Sequence, residues 1–407
     1  MRASSKRGLV SLAALTLLAV AANSCGGAST HNNSGTPSNP TGNNVQKIVV
    51  NSGPANNYAN GAFTSVTVCA PSTSNCQTIS GVLVDTGSYG LRLLSSSGGG
   101  AFTLSLPAQN GSSGNPVAEC APFVSGFTWG PVKVADVSIS GEHASKVPVQ
   151  IIDPSFLVVP DNCKNTGVPA DNTLQTLGAN GILGVGPFPQ DCGNACSQSG
   201  KGNPGLYYEC TGSSCQVVPL PVDQQVQNPV VLFASDNNGV ILQLPAVTSP
   251  QTSVNGVMIF GIGTQGNNSL GNAKVFAING NGEFNTSYKG QTYPAFIDSG
   301  SNAYFFLDTA TTGLPECGDS SGFYCPTSPA SISATATSGS VTNTINFTVS
   351  SADTLFSNNS SAAVFNSLGG PNSGTFDWGL PFFFGRTVFT AIDARSTPAG
   401  TGPFWAY

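Results

Sequence analysis

Charge is what this sequence most lacks. Only 8% of its 407 residues are charged, where an average soluble protein carries about 25%. Lysine and arginine together number 13. That is too few for the basic stripe of a nucleic-acid-binding surface, so nucleic acid is excluded as a partner. Histidine occurs twice, as His31 and His143. A serine hydrolase needs a histidine beside its nucleophile, but His31 lies in a Gly/Ser/Asn-rich stretch and His143 in a polar Gly141-Glu142-His143 turn. The same scarcity weakens zinc as a reason for the closely spaced cysteines, and no metal is expected. Gly184-Val185-Gly186 lacks the spacing and the following helix of a phosphate-binding loop, and no cofactor is expected. Long amphipathic helices with clear caps are also missing.

What is there is glycine, 49 copies, amid abundant Ser, Thr and Asn, with 39% hydrophobic residues. Such a chain can bury large cores under a polar, uncharged surface, which suits an exported β protein. The net charge of −6 favours solubility and says little about substrate. Arg2, Lys6 and Arg7 precede an apolar run over residues 9–22, the pattern of an export signal over residues 1–24. Ala19-Val20-Ala21 offers an ordinary secretory cleavage site. Ala22-Asn23-Ser24-Cys25 resembles a bacterial lipobox, in which Cys25 is lipidated and anchors the chain to a membrane. We favour the lipobox, because residues 25–46 then form a flexible tether of small polar residues and because removing Cys25 from eleven cysteines leaves an even number. Gly26 carries no inner-membrane retention signal, so an outer-membrane lipoprotein is expected, with a freely secreted form the alternative. The remaining cysteines fall as close pairs at 69/76, 192/196, 210/215 and 317/325, with Cys120 and Cys163 left over. Disulfides are the expected state in an oxidising compartment, and short loops pair most easily.

From residue 47 the pattern is strands and turns. Residues 63–69 alternate, and 78–84 follow a polar loop, so 62–85 reads as a hairpin. Residues 132–139 alternate with a phase shift at Ala135-Asp136, and 149–152 is a short strand after Pro148. Helical turns are confined to 172–178 and 352–368. The class is mainly β. Prolines 221, 229 and 245 break the middle of the chain, and the spacing predicts an N-terminal β lobe over 47–230 and a C-terminal β lobe over 231–407.

The two halves echo each other. Gly81-Val82-Leu83-Val84-Asp85-Thr86-Gly87-Ser88 is an apolar strand ending in a polar loop, and so is Tyr293-Pro294-Ala295-Phe296-Ile297-Asp298-Ser299-Gly300-Ser301. One such loop alone is an ordinary Asp turn. A matched pair supplies what metal-free peptide hydrolysis needs, because two carboxyls about 3 Å apart cannot both ionise and so share a proton. One then serves as base and the other as acid at the same pH. Gly87 and Gly300 let the loops approach closely. Thr86 and Ser299 can bond across to the opposite loop, and Ser88 and Ser301 can orient the carboxyls. Glycoside hydrolysis also uses two carboxyls, but it does not need these loops, although Trp129, Trp378 and Trp405 leave sugar binding open.

These motifs resemble the pepsin family of aspartic peptidases over most of 60–393. Each Asp loop in that family is backed by an apolar-apolar-Gly segment of the same lobe. Asn180-Gly181-Ile182-Leu183-Gly184 and Trp378-Gly379-Leu380-Pro381-Phe382 stand in those places, and Gly256-Val257-Met258-Ile259-Phe260-Gly261 is similar to the strand opening the second lobe. Residues 60–94 and 376–393 also resemble a family of uncharacterised bacterial envelope proteins. The resemblance implies two β-barrel-like lobes around a cleft, catalytic Asp85 and Asp298, a peptide or protein substrate, and a monomer. It also implies a flap hairpin, with Phe123 where the family has a Tyr and Ser125-Gly126 at the turn. The Trp that normally receives that Tyr falls at Arg92, and Asn180 and Leu380 stand where Asp is common.

Overall fold

β1 (Val45–Asn51) opens the regular structure, so the last two residues of the expected tether already lie in a strand. The computed structural model describes residues 40–164 and 167–407; the export signal, Cys25 and the tether up to residue 39 lie outside the described residues. Among the described residues the chain is mainly β, with only short helical turns. No helix among them is long and apolar enough to cross a membrane.

The first half builds a closed barrel from β2 (Gly61–Cys69), β3 (Cys76–Asp85), β4 (Tyr89–Leu94), β6 (Phe127–Ile139), β7 (Glu142–Ile152) and β8 (Gly181–Val185). Their hydrogen-bonded order is β6-β7-β4-β8-β3-β2, and β2 pairs again with β6 to close the ring. Closure removes sheet edges that would otherwise stay unpaired. The alternation in β2 is as expected, with Val66 and Val68 fully buried while Ser65 and Thr67 are partly exposed. The phase shift in β6 is a register slip between Ala135 and Val137. The extra residue, Asp136, accepts hydrogen bonds from the backbone N–H groups of Ser72 and Lys146, both at 2.8 Å, which fixes the bulge.

β7 is longer than the 149–152 strand expected. It starts at Glu142, so Pro148 lies inside it and His143 lies in a strand, not a turn. Pro148 is tolerated because β7 pairs with β4 only from Gln150 onward, leaving no ladder partner for the missing N–H on that side. His143 is exposed and bonds only Ser138 and Ser145.

β1 joins the barrel to the second half: it pairs antiparallel with β2 on one side and with the strand Val254–Phe260 on the other. The second half contributes a seven-stranded sheet in which the strand Gln291–Ile297 lies between Phe284–Tyr288 and Asn372–Trp378. One face of that sheet carries an aromatic cluster of Tyr304, Phe306, Phe347, Phe376 and Trp378, whose offset and edge-to-face packing adds to the burial of large rings.

Five disulfides join Cys69 to Cys76, Cys120 to Cys163, Cys192 to Cys196, Cys210 to Cys215 and Cys317 to Cys325. The close pairs bond within themselves, and the two left-over cysteines bond each other. Their number fits an extracellular, oxidising compartment.

Candidate active site

Each Asp loop ends a buried strand that has a parallel neighbour. β3 pairs parallel with β8 so that Asp85 lies opposite Gly184. The strand Gln291–Ile297 pairs parallel with Asn372–Trp378, placing Ile297 opposite Trp378. Both apolar-Gly segments therefore stand behind their loops.

The loops lock onto each other. Thr86 N–H donates to Ser299 Oγ at 3.1 Å, and Ser299 N–H donates to Thr86 Oγ1 at 2.9 Å. The two hydroxyls donate in turn to carbonyls of the opposite half, Thr86 to Ile297 at 3.1 Å and Ser299 to Val84 at 2.7 Å. Thr86 and Ser299 are fully buried, so this closed set of four bonds leaves neither their backbone N–H groups nor their hydroxyls unpaired.

The carboxyls are held with the same symmetry. Gly87 N–H donates to Asp85 Oδ1 at 2.8 Å and Gly300 N–H to Asp298 Oδ1 at 2.7 Å. Ser88 Oγ donates to Asp85 Oδ2, and Ser301 Oγ lies 3.0 Å from Asp298 Oδ2. A methyl carbon placed on Gly300 would sit 2.7 Å from Asp85 Oδ1 and 3.1 Å from Asp298 Oδ1, and one on Gly87 would sit 2.5 Å from Asp298 Cγ. The two carboxyls thus face a common point, and only glycine permits the approach. Burial, the neighbouring charges of Asp85 and Asp377, and a hydrogen bond shared with Asp85 push the Asp298 carboxyl well above the usual carboxylate range. Burial and a like charge close by both disfavour the ionised form of Asp298.

The hairpin expected to be a flap runs from β5 (Val117–Pro122) to β6, closed by a bond from Phe123 N–H to Gly126 O at 2.7 Å. Phe123 packs on a cluster that includes Phe63, Leu83 and Ile182, while Val124 at the tip is 97% exposed. Ser125 and Gly126 lie against Asp171. Arg92 is buried beneath the hairpin, 5.6 Å from the Phe123 ring centre. Its guanidinium contacts Glu119 on β5 at 2.5 Å and Asp191 at 3.1 Å, and Tyr207 donates to Asp191 at 2.6 Å. Burial works against the Arg92 charge, but the two carboxyls outweigh it and hold the guanidinium protonated. Asn180 has a structural role: its side chain donates to Ser80 O at 2.9 Å and accepts from Ala101 N–H at 3.2 Å. Leu380 is buried in the core.

Three site residues escaped the sequence reading. Tyr58 donates to Gly300 O at 3.3 Å, and Tyr89 feels the charges of both Asp85 and Asp298; burial first and those carboxyls second push both phenols upward. Asp377 is a third buried carboxyl, 2.5 Å from Ser301 Oγ. Its signal was an acidic residue inside the apolar run Phe376-Asp377-Trp378, unusual in a chain this poor in charge.

Residues 40–407 match the family described as "Protein of unknown function (DUF3443)". The chain belongs to this family. No curated relative matches it. Among solved structures it is similar to an aspartic proteinase from Irpex lacteus, with a TM-score of 0.50 and 15% sequence identity over 89% of this chain and 96% of that one. At that identity the likeness establishes the fold: this member of DUF3443 is a mainly β protein of pepsin-like architecture.

Proposed function

We propose that the protein is an aspartic-type endopeptidase of the bacterial cell envelope, hydrolysing peptide bonds with a water activated between Asp85 and Asp298. The observation that carries this reading is the pair of carboxyls converging on one point between cross-bonded loops. The charged member takes the proton of the attacking water, and the protonated member polarises the peptide carbonyl and later protonates the leaving amine. Thr86, Gly87, Ser88, Ser299, Gly300 and Ser301 hold the pair, and the Phe123–Gly126 hairpin covers bound peptide. Purified protein incubated with a diverse peptide library from about pH 3 to pH 7, the span over which such a pair titrates, is expected to cleave at acidic pH and to bind a statine-type mimic whose hydroxyl sits between the carboxyls. Absence of both cleavage and binding overturns the reading.

A second reading, an inert pepsin-like scaffold that binds or assembles other envelope components, draws on the flap. Phe123 has no hydroxyl to offer, and Arg92 ties the hairpin strand to the body of the lobe through Glu119.

We further propose that Cys25 is lipidated and tethers the chain to the outer membrane. Metabolic labelling with a fatty acid is expected to tag the wild type and not Cys25→Ser. An unlabelled, soluble form beginning at Ala22 would favour ordinary secretion instead.

A further inference from the structure

Asp377 breaks the symmetry of the site. In the first half, the residue opposite Leu83 on the backing strand is Ile182, buried and apolar. The corresponding residue in the second half, opposite Phe296, is Asp377. Alternation along the strand sends Phe376 and Trp378 into the aromatic cluster and Asp377 to the other face, towards the Asp298 loop. There it is 6% exposed. Its Oδ2 is 2.5 Å from Ser301 Oγ, and Oδ1 has no hydrogen-bond partner.

Ser301 Oγ therefore lies between two carboxyls, at 2.5 Å from Asp377 and 3.0 Å from Asp298. A hydroxyl has one hydrogen to donate and otherwise only accepts. It can satisfy one carboxylate; the other carboxyl must bring its own proton to make the second bond. The arrangement Asp298–Ser301–Asp377 is thus complete only when one of its carboxyls is protonated. A buried, half-satisfied carboxyl is costly as an anion and far less so as an acid.

We propose that Asp377 is a positioning residue that, through the Ser301 hydroxyl, stores a proton behind Asp298. When Asp298 gives up its proton, Asp377 gives its own to Ser301 Oγ while Ser301 passes its hydrogen to Asp298; Asp298 is again the acid and Asp377 takes the negative charge. This deepens the proposed function and rests on Asp85 and Asp298 being the working pair.

The groups that face this arrangement agree with it. Burial, and then the charge of Asp85, push Asp377 well above the usual carboxylate range, with the Ser301 bond opposing them. Asp298 faces Asp85 and Asp377. Tyr58 and Tyr89, the phenols nearest the pair, are held neutral. Neither Asp298 nor Asp377 forms an ion pair among the described residues. On the neighbouring strand Phe305 lies opposite Asp377, while Tyr304, with Arg386 against it, packs on Trp378 across the sheet.

The test is a titration of the full chain carrying carboxyl-labelled aspartate, followed by NMR from about pH 3 to pH 9, with resonances assigned through Asp298→Asn and Asp377→Asn. In the wild type both carboxyls are expected to titrate above the ordinary range of about 4. In Asp377→Asn the Asp298 midpoint is expected to fall by about one pH unit or more, since a neighbouring carboxyl that can take up the negative charge is gone. An unmoved Asp298 midpoint overturns the proposal and leaves Asp377 a packing residue. Thermal unfolding gives a second reading. A carboxyl whose folded pKa is raised contributes its full stability below the unfolded value and loses it as pH rises towards the folded one. Asp377→Asn should therefore gain on the wild type as pH rises from about 4 to about 8, and a stability difference that does not shift in the variant's favour over that range counts against proton storage. If Asp377→Asn does not fold, the wild-type titration still decides, because ordinary midpoints for both carboxyls overturn the idea. Neither readout requires peptide cleavage, so failure here is separable from failure of the peptidase reading.

Discussion

Asp85→Asn and Asp298→Asn are each expected to remove peptide hydrolysis, by about 10³-fold or more, while the fold stays intact. Acid and base catalysis by positioned groups contributes about 10²–10⁴-fold each, and a lone carboxyl cannot be ionised to take the water's proton and protonated to polarise the carbonyl at the same moment. The two losses should resemble each other, because residues that act as a unit fail as a unit. The amide is close to isosteric: its oxygen can keep the bond from Gly87 or Gly300, while its NH2 donates to the Ser88 or Ser301 hydroxyl, which reverses that bond. Stability separates chemistry from folding. Burial and the neighbouring carboxyls raise Asp298 well above the usual range, so its ionisation works against the folded state. Its contribution is fully present below the unfolded pKa of about 4 and is lost as pH rises towards the folded value. Asp298→Asn should accordingly melt at or above the wild-type temperature at neutral pH while cleaving nothing. Cleavage that survives in either variant at near wild-type rates would overturn the pair. Activity itself should be greatest at acidic pH, where the pair holds one proton, and fall as that proton leaves.

The parts of this site that were legible in sequence are those whose physics is local. An apolar run such as Val82-Leu83-Val84 ending in Asp85 declares a buried strand feeding a polar loop, and its twin at 295–298 declares the partner. Alternation located the faces of β2, and its interruption at Ala135-Asp136 located a bulge. Cysteines a few residues apart could close short loops without crossing the fold. What stayed hidden depends on distant partners. Asp377 shares a strand with Phe376 and Trp378, yet its role is defined by a hydroxyl 76 residues away. Arg92 stood out as the replacement of an expected Trp, but its carboxylates lie 27 and 99 residues off. Tyr58 reaches the loop at Gly300 across 242 residues. Strand ends were also misjudged at β7, because Pro148 normally marks a boundary and only the pairing shows that its missing N–H has nothing to bond.

Arg92→Leu is expected to cost about 3–5 kcal/mol of stability, the range for breaking a buried ion pair from one side. The side chain is 2% exposed and its partner Glu119 0%, so solvent cannot replace the lost charge. Glu119 Oε2 already lacks a hydrogen-bond partner. Asp191 is raised well above the usual range by burial and then by Glu119, with Arg92 opposing. Without the guanidinium two adjacent buried carboxyls would have to find protons or separate. Separation would free β5, and with it the flap, from the body of the lobe. Arg92→Lys should rescue little, because a single ammonium cannot reproduce the fork that reaches Glu119, Asp191 and the Tyr89 carbonyl together. The decisive control is Arg92→Leu combined with Glu119→Leu and Asp191→Asn. Removing all the charges at once should recover most of the loss, since a well-packed apolar substitute for a buried ion cluster is often neutral. Thermal unfolding of the wild type and the three variants measures this. If Arg92→Leu melts with the wild type, the cluster is not buried in the working protein, and the flap is held down by Phe123 packing alone.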